Sequence, residues 1–262
     1  MDLRFKNWKT LLGYPSTREM YDLSQSIIVK LGLSQPVFPL NIRSVSEIFP
    51  GFALGDFAIL QGSSVSSLAS MLCVKAQLPT QFGGLQSNVV FIDGGNTFRL
   101  YQIAQLAQIH HLNPKKVLDN IYISRAFTAY QVNALITHQL KETIQKYNSK
   151  LVIISDIAGF FLDEDISEVE TQRIFSHVIT FLSNFARESQ TIIIATYLPH
   201  KESSRNNLLH KQTWSRANVV LSLSRSSYAR KISLEKHPNL STGTVELPDE
   251  SVTVADFVEV NA

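Results

Sequence analysis

Apolar residues in this chain come in short blocks, separated by longer stretches in which they recur every third or fourth position. The blocks are FAIL (57–60), NVVFID (88–93), IYIS (121–124), LVIISD (151–156), TIIIATY (191–197) and NVVLSLS (218–224). Several are unbroken runs rich in Ile and Val, the pattern of strands covered on both faces. Residues 98–111 place Leu100, Ile103, Leu106, Ala107 and His110 at helical spacing, and residues 171–188 do the same with Ile174, Val178, Phe181, Leu182 and Phe185. Strands alternating with helices predict an α/β domain on a mostly parallel twisted sheet flanked by helices. The pattern alters in the last third, where RKISLEKHP and TGTVELPDESVTVADFVEV read as shorter antiparallel strands joined by turns. With no internal repeat or low-complexity linker, the chain divides into an N-terminal extension of unassigned role, residues 1–40, and one core domain, residues 41–262.

Composition sets the class. Of 262 residues, 44% are hydrophobic and 18% charged, an ordinary globular make-up long enough to bury a full core. No run of about 18 apolar residues is present to span a bilayer. The opening MDLRFKNWKT has neither the apolar core nor the small-residue cleavage site of a signal peptide. Cys73 is the single cysteine and has no partner for an intrachain disulfide, so a reducing, cytoplasmic setting is expected.

Charge is segregated behind a net of +2. From His200 to His237 eight Lys or Arg stand against Glu202 and Glu235, a local net of +6. Asp163, Glu164, Asp165, Glu168 and Glu170 form an acidic run, and five acids with no base follow Pro238. Such segregation says more about partners than the total does.

In open parallel sheets ligands sit beyond the carboxyl ends of the strands, so the informative residues are those just after each block. ILQGSSVSSLASML (59–72) has the layout of a phosphate-binding loop, strand to glycine to serine-rich turn to helix. An intact loop reads G-x-x-x-x-G-K-[ST]; counted from Gly62 or back from the helix, no lysine falls in place, and Lys75 lies about two turns into the helix. Two readings stay open: a structural strand–turn–helix with Ser66 or Ser67 capping the helix, and a vestigial nucleotide site of Gly62, Ser66, Ser67 and Asp156 with weak Mg·ATP binding. Asp156, at the end of LVIISD, is placed either to hold Mg²⁺ through water or to cap a turn. Asp93 is the only carboxylate after FID able to orient an attacking water.

HKESSRNNLLHKQTWSRANVV (200–220) reads as a flexible basic loop with an aromatic. Lys201, Arg205, Lys211, Trp214 and Arg216, continued by Arg225, Arg230 and Lys231, offer phosphate neutralisation and a stacking face for single-stranded nucleic acid. The alternative is a solvated loop whose charges keep the protein soluble. The seven histidines show no metal-ligand spacing, so no metal site is expected, and no G-x-S-x-G nucleophile motif occurs.

Taken in order, LCVKAQLP (72–79), VVFIDGGNTFR (89–99), VLDNIYISRAFTAYQ (117–131), LVIISDIAG (151–159), IIIATYLP (192–199) and ISLEKHP (232–238) resemble the ATPase core of the RecA/RadA recombinase superfamily, with the RadA-type recombinases and their paralogues the nearest match. The likeness runs from about residue 45 to 250. It implies a RecA-like core with Asp156 at the magnesium-associated aspartate, the catalytic glutamate's position held by Gly95, and the polar sensor positions held by Thr196 and Tyr197. It places one DNA-facing loop near Leu162–Thr171, acidic here, and the other at His200–Arg216, basic here.

The resemblance and its departures imply a non-catalytic RadA-type paralogue. The expected role is an accessory factor in DNA repair and homologous recombination that binds single-stranded DNA, the active recombinase or another paralogue, within an oligomer or hetero-oligomer and without a cofactor. The alternatives are a slow ATPase completed by a cation from a neighbouring subunit, and a protein–protein scaffold contacted at the acidic run.

Overall fold

A computed structural model describes residues 37–225 and 229–247. An eight-stranded sheet organises them. In chain order its strands are β3 (Phe57–Gly62), β4 (Asn88–Asp93), β5 (Ile121–Arg125), β6 (Ser149–Ser155), β7 (Ile192–Tyr197), β8 (Val219–Arg225), β9 (Arg230–Lys236) and β10 (Gly243–Leu247). Across the sheet they lie in the order β10-β9-β8-β3-β7-β6-β4-β5. The six from β8 to β5 are parallel, and β9 and β10 add antiparallel, as the altered pattern late in the sequence predicts. A separate ribbon pairs β1 (Val37–Phe38) with β2 (Phe52–Ala53), with α1 (Arg43–Ser46) between them.

The unbroken Ile/Val blocks follow from two covered faces. In β7, Ile192 and Ile194 enter one core while Ile193 and Ala195 enter the other. The first core takes α2 (Val65–Lys75), α3 (Leu100–Ile109) and α4 (Pro114–Asp119), which contribute Leu72, Ile103, Leu106 and Val117. The second takes α5 (Ala129–Ala134), α6 (Leu140–Tyr147), α7 (Glu168–Ser189) and α8 (Ser204–Arg216). Along α7, Ile174, Val178, Leu182 and Phe185 form the expected buried stripe, and Ser167 caps it by accepting from the Glu170 N–H.

Two helical stretches do not follow from the hydrophobic pattern. Residues 129–147 form α5, a π-helical turn at Leu135–Gln139 and α6, burying Val132, Ile136, Leu140 and Ile144 at four-residue spacing. Thr128 caps this stretch through the Gln131 N–H, and Gln131 Oε1 accepts from Phe127 N in return, a reciprocal arrangement close to a capping box. The second is the basic segment: the sequence reading of a flexible loop is corrected, because Ser204–Arg216 is a helix. Ser203 caps it, and Leu209 and Thr213 are buried. Residues 1–36, 226–228 and 248–262, including PDESVTVADFVEV, lie outside the described residues. Among the described residues no helix is long and apolar enough to cross a membrane.

Lys75 shows how the sheet's first face is closed. It is 1% exposed, and its Nζ donates to the Pro39 carbonyl at 2.5 Å beside the Phe38 ring. Burial pushes its pKa well below the usual lysine value. The unfolded chain then holds a proton that the folded chain lacks, up to the ordinary lysine pKa of about 10.4, so this group makes stability rise with pH over that window. Urea unfolding of the parent and of Lys75→Met at pH 7 and pH 9 should show the difference shifting in the parent's favour at the higher pH. A difference independent of pH would contradict a neutral Lys75.

Candidate functional site at the carboxyl ends of the strands

The six parallel strands end on one rim, and the residues singled out there fall into three groups. The first is the junction after β3. Gly62 is followed by only Ser63 and Ser64 before α2 begins at Val65. Gly62 has φ +116°, and a β-carbon on it would lie 2.0 Å from the Leu223 carbonyl oxygen of β8, so only glycine fits. The proposed capping by Ser66 or Ser67 is corrected: both lie inside α2, the N-cap residue is Ser64, and its side chain makes no capping bond. No cation reaches this turn from α2, since Lys75 is directed to Pro39.

The second group surrounds Asp156. Strand β7 lies between β3 and β6, so Asp156, just past β6, stands two strand spacings from Gly62, about 10 Å. Asp156 has φ +47°, an uncommon backbone for a residue with a side chain. Its N–H donates to Thr196 Oγ1 at 2.8 Å, and its Oδ1 accepts from His200 Nε2 at 2.8 Å. Gly159 packs closely beside it: a β-carbon there would sit 2.5 Å from Oδ2, so a larger residue would displace the carboxylate. The Tyr197 ring meets both His200 and His210 edge-on. Burial and the Asp156 carboxylate raise the Tyr197 phenol, so it stays an O–H donor and gives its proton to Asn206 Oδ1 at 2.6 Å.

Asp93 is fully buried at the end of β4. Its Oδ1 accepts from Ser155 Oγ at 2.7 Å and from the Thr97 N–H at 2.9 Å, and its Oδ2 lies 3.4 Å from Arg125 Nη2. It organises the turn into α3 and reaches the open rim only through Arg125. Asn96 takes a left-handed conformation in that turn, and α3 begins after Arg99, whose side chain makes no capping bond. A cleft of about 530 Å³ opens on the rim, lined by Gly94, Gly95, Arg125, Phe127, Asp156 and His200 among others. Its titratable side chains are Arg125, Asp156 and His200, and Phe127 and Phe160 supply apolar wall. Sequence reasoning found Asp156 there but missed His200, Arg125 and Phe127.

The third group is the basic set, which the structure divides. Lys201, just before α8, and Lys211 and Arg216 on it are exposed, with no ion pair among the described residues. Trp214 is 39% exposed, and Lys236 Nζ sits 4.8 Å from its ring centroid while donating to the Trp214 and Ser215 carbonyls that end the helix. Arg205 is committed inward, donating to the carbonyls of Asp163 and, at 2.9 Å, Ile166. Arg225 and Arg230 face one another across the β8–β9 pair at the rim, and Lys231 pairs with Glu246 at 2.8 Å. His210 Nε2 donates to Gln61 Oε1 at 2.8 Å, and Gln61 in turn donates to Glu235, so α8 is tied to the sheet by polar contacts along its length.

The burial of Asp93 carries a prediction. Asp93→Ala strands the Ser155 hydroxyl and the Thr97 N–H and should cost about 3 kcal/mol of unfolding free energy, with Asp93→Asn costing less. Urea denaturation measures both. A loss under about 1 kcal/mol for Asp93→Ala would show that this network does not hold the turn.

Comparison with known proteins accords with this geometry. The family model described as Rad51 matches residues 40–208, from just before α1 into α8. The chain is similar to the DNA repair and recombination protein RadA of Cenarchaeum symbiosum (strain A), 29% identical over 161 residues, which cover 60% of this chain and 38% of that protein. The chain thus matches well under half the length of this relative. With two thirds of its length matched by the family model, on a mostly parallel sheet closed by antiparallel strands, the chain belongs to the Rad51 family of the RecA/RadA superfamily.

Proposed function

We propose that this chain is a RadA-type paralogue that serves DNA repair and homologous recombination without hydrolysing ATP, binding single-stranded DNA and an active recombinase. The observation that carries this reading is the two-residue turn, Ser63–Ser64, between β3 and α2. A phosphate cradle needs several consecutive backbone N–H groups and a cation over the transferred phosphate. The turn is too short for the first. Lys75, buried against Pro39, does not supply the second. The Asp156 carboxylate already accepts from His200, and Gly95 occupies the position of a water-orienting glutamate. These residues do not fit Mg·ATP. Removing one phosphate-stabilising or water-orienting group costs several kcal/mol of barrier, and two are missing here.

The DNA-binding half of the reading rests on α8. Lys201, Lys211 and Arg216 are exposed cations spread over roughly 20 Å of helix and its lead-in, a length that tracks a few phosphates. The name of the RadA relative supports the process, DNA repair and recombination. The likeness to a recombination protein supports association with a recombinase.

Two outcomes are expected. The purified chain with Mg·ATP should release phosphate no faster than buffer, with or without oligonucleotide; turnover that Asp156→Asn abolishes would contradict the proposal. The triple variant Lys201→Glu, Lys211→Glu, Arg216→Glu should bind a labelled oligo-dT more than tenfold more weakly, with the log–log salt slope reduced by about 2. Anisotropy titrations at several salt concentrations measure both quantities, and unchanged affinity would remove α8 from the DNA face. Arg205 is left out of the set because its loss would unfasten the 163–166 turn.

A further inference from the structure

Beside the cleft, the rim carries a group of large apolar side chains left in water. Phe127 follows β5, Tyr130 lies in the first turn of α5 and Val169 in the first turn of α7; they are 67%, 50% and 80% exposed. Glu170, next to Val169, lies close enough to the Tyr130 phenol to raise its pKa, and α5 packs on α7. Phe127 also forms part of the cleft wall together with Phe160. Scattered single apolar residues on a surface are ordinary, whereas several on adjoining elements around a cavity mark a contact surface.

The surroundings of this patch say what would cover it. Asp163, Glu164, Asp165, Glu168 and Glu170 flank it, and Glu164, Asp165 and Glu168 have no ion-pair partner among the described residues. The acidic turn is held in place. Arg205 donates to the carbonyls of Asp163 and Ile166, the Ile166 side chain is buried, the Asp165 N–H donates to Asp163 Oδ1 and Ser167 caps α7. The Arg205 fork is engaged with carbonyl oxygens, which leaves the carboxylates open. An apolar surface framed by fixed negative charge repels phosphate and complements a cationic chain with an apolar anchor.

We infer that Phe127, Tyr130 and Val169, framed by Glu164, Asp165 and Glu168, form a docking surface for a basic peptide segment of a partner protein. An apolar side chain of the segment packs on the three exposed residues, and its Lys or Arg side chains meet the carboxylates. This rests on the reading that the chain works with a partner protein, and is independent of the DNA face on α8.

The test uses the full chain and three labelled twelve-residue probes: lysines around a central Phe-Leu pair, lysines alone, and glutamates around the same pair. In anisotropy titrations at low salt, the lysine probe with the apolar pair should bind about tenfold tighter than either control. It should lose about tenfold with Glu164→Lys, Asp165→Lys and Glu168→Lys combined, and about as much with Val169→Ser. Val169→Ser should keep the parent's oligo-dT affinity and the charge-reversed variant should bind oligo-dT no more weakly than the parent, which shows that each is folded and separates this surface from α8. Should the parent itself bind no oligo-dT, far-ultraviolet circular dichroism replaces that control, and the DNA reading fails while the peptide result stands. Equal binding of the lysine-only probe, or no loss in the charge-reversed variant, overturns the inference. Oligo-dT binding that Phe127→Ser abolishes also overturns it, because the exposed aromatic would then be a platform for bases.

Discussion

The rim of this molecule is set by a single close approach, the backbone of β8 against Gly62. With no β-carbon in the way, the Leu223 carbonyl comes within van der Waals reach of the Gly62 α-carbon, and β8 pairs with β3 up to its last residue. The chain then turns into α2 within two residues. A longer, phosphate-wrapping loop would need the space above β3 that this tight turn does not enclose. On the proposed reading, this junction leaves no phosphate cradle at the end of β3.

Around this junction the rim is held by a set of polar ties. His200 holds the Asp156 carboxylate, Thr196 holds the Asp156 N–H, Tyr197 holds Asn206, and Gln61 links His210 to Glu235. Arg205 closes the acidic turn onto α8. Each group is satisfied by a neighbour within the chain, and buried polar networks of this kind rigidify when every member is paired. A rim fixed in this way suits the two proposed binding surfaces, cationic on α8 and apolar and acidic around Phe127 and Val169.

The sheet was legible because strands buried on both faces leave continuous Ile/Val blocks; all six parallel strands fall within a few residues of their positions in the pattern. Helix α7 was legible from its stripe. The 129–147 stretch is hidden although Val132, Ile136, Leu140 and Ile144 share a helical face, because polar residues fill the intervals between them and a π turn interrupts it. Segment 204–216 hides its helix for a different reason. It buries only Leu209 and Thr213, and the contacts that fix it come from Gln61, Tyr197 and the 163–166 carbonyls, which no local pattern reveals. The site divides in the same way. Asp156 could be found from its place at a strand end, whereas His200 reaches it from 44 residues away across a strand neighbour. Residues 1–40, left without a role in the sequence reading, contribute Phe38 and Leu40 to the core.

The proposed function amounts to DNA binding that this fold has uncoupled from nucleotide. Its most direct test is the affinity of the full chain for a labelled single-stranded oligonucleotide, titrated at moderate salt with and without saturating Mg·ATP. Uncoupling predicts the same dissociation constant in both conditions, within about twofold. A tightening of tenfold or more with Mg·ATP, lost in Asp156→Asn, would contradict it and return the β3–α2 junction to service as a nucleotide site.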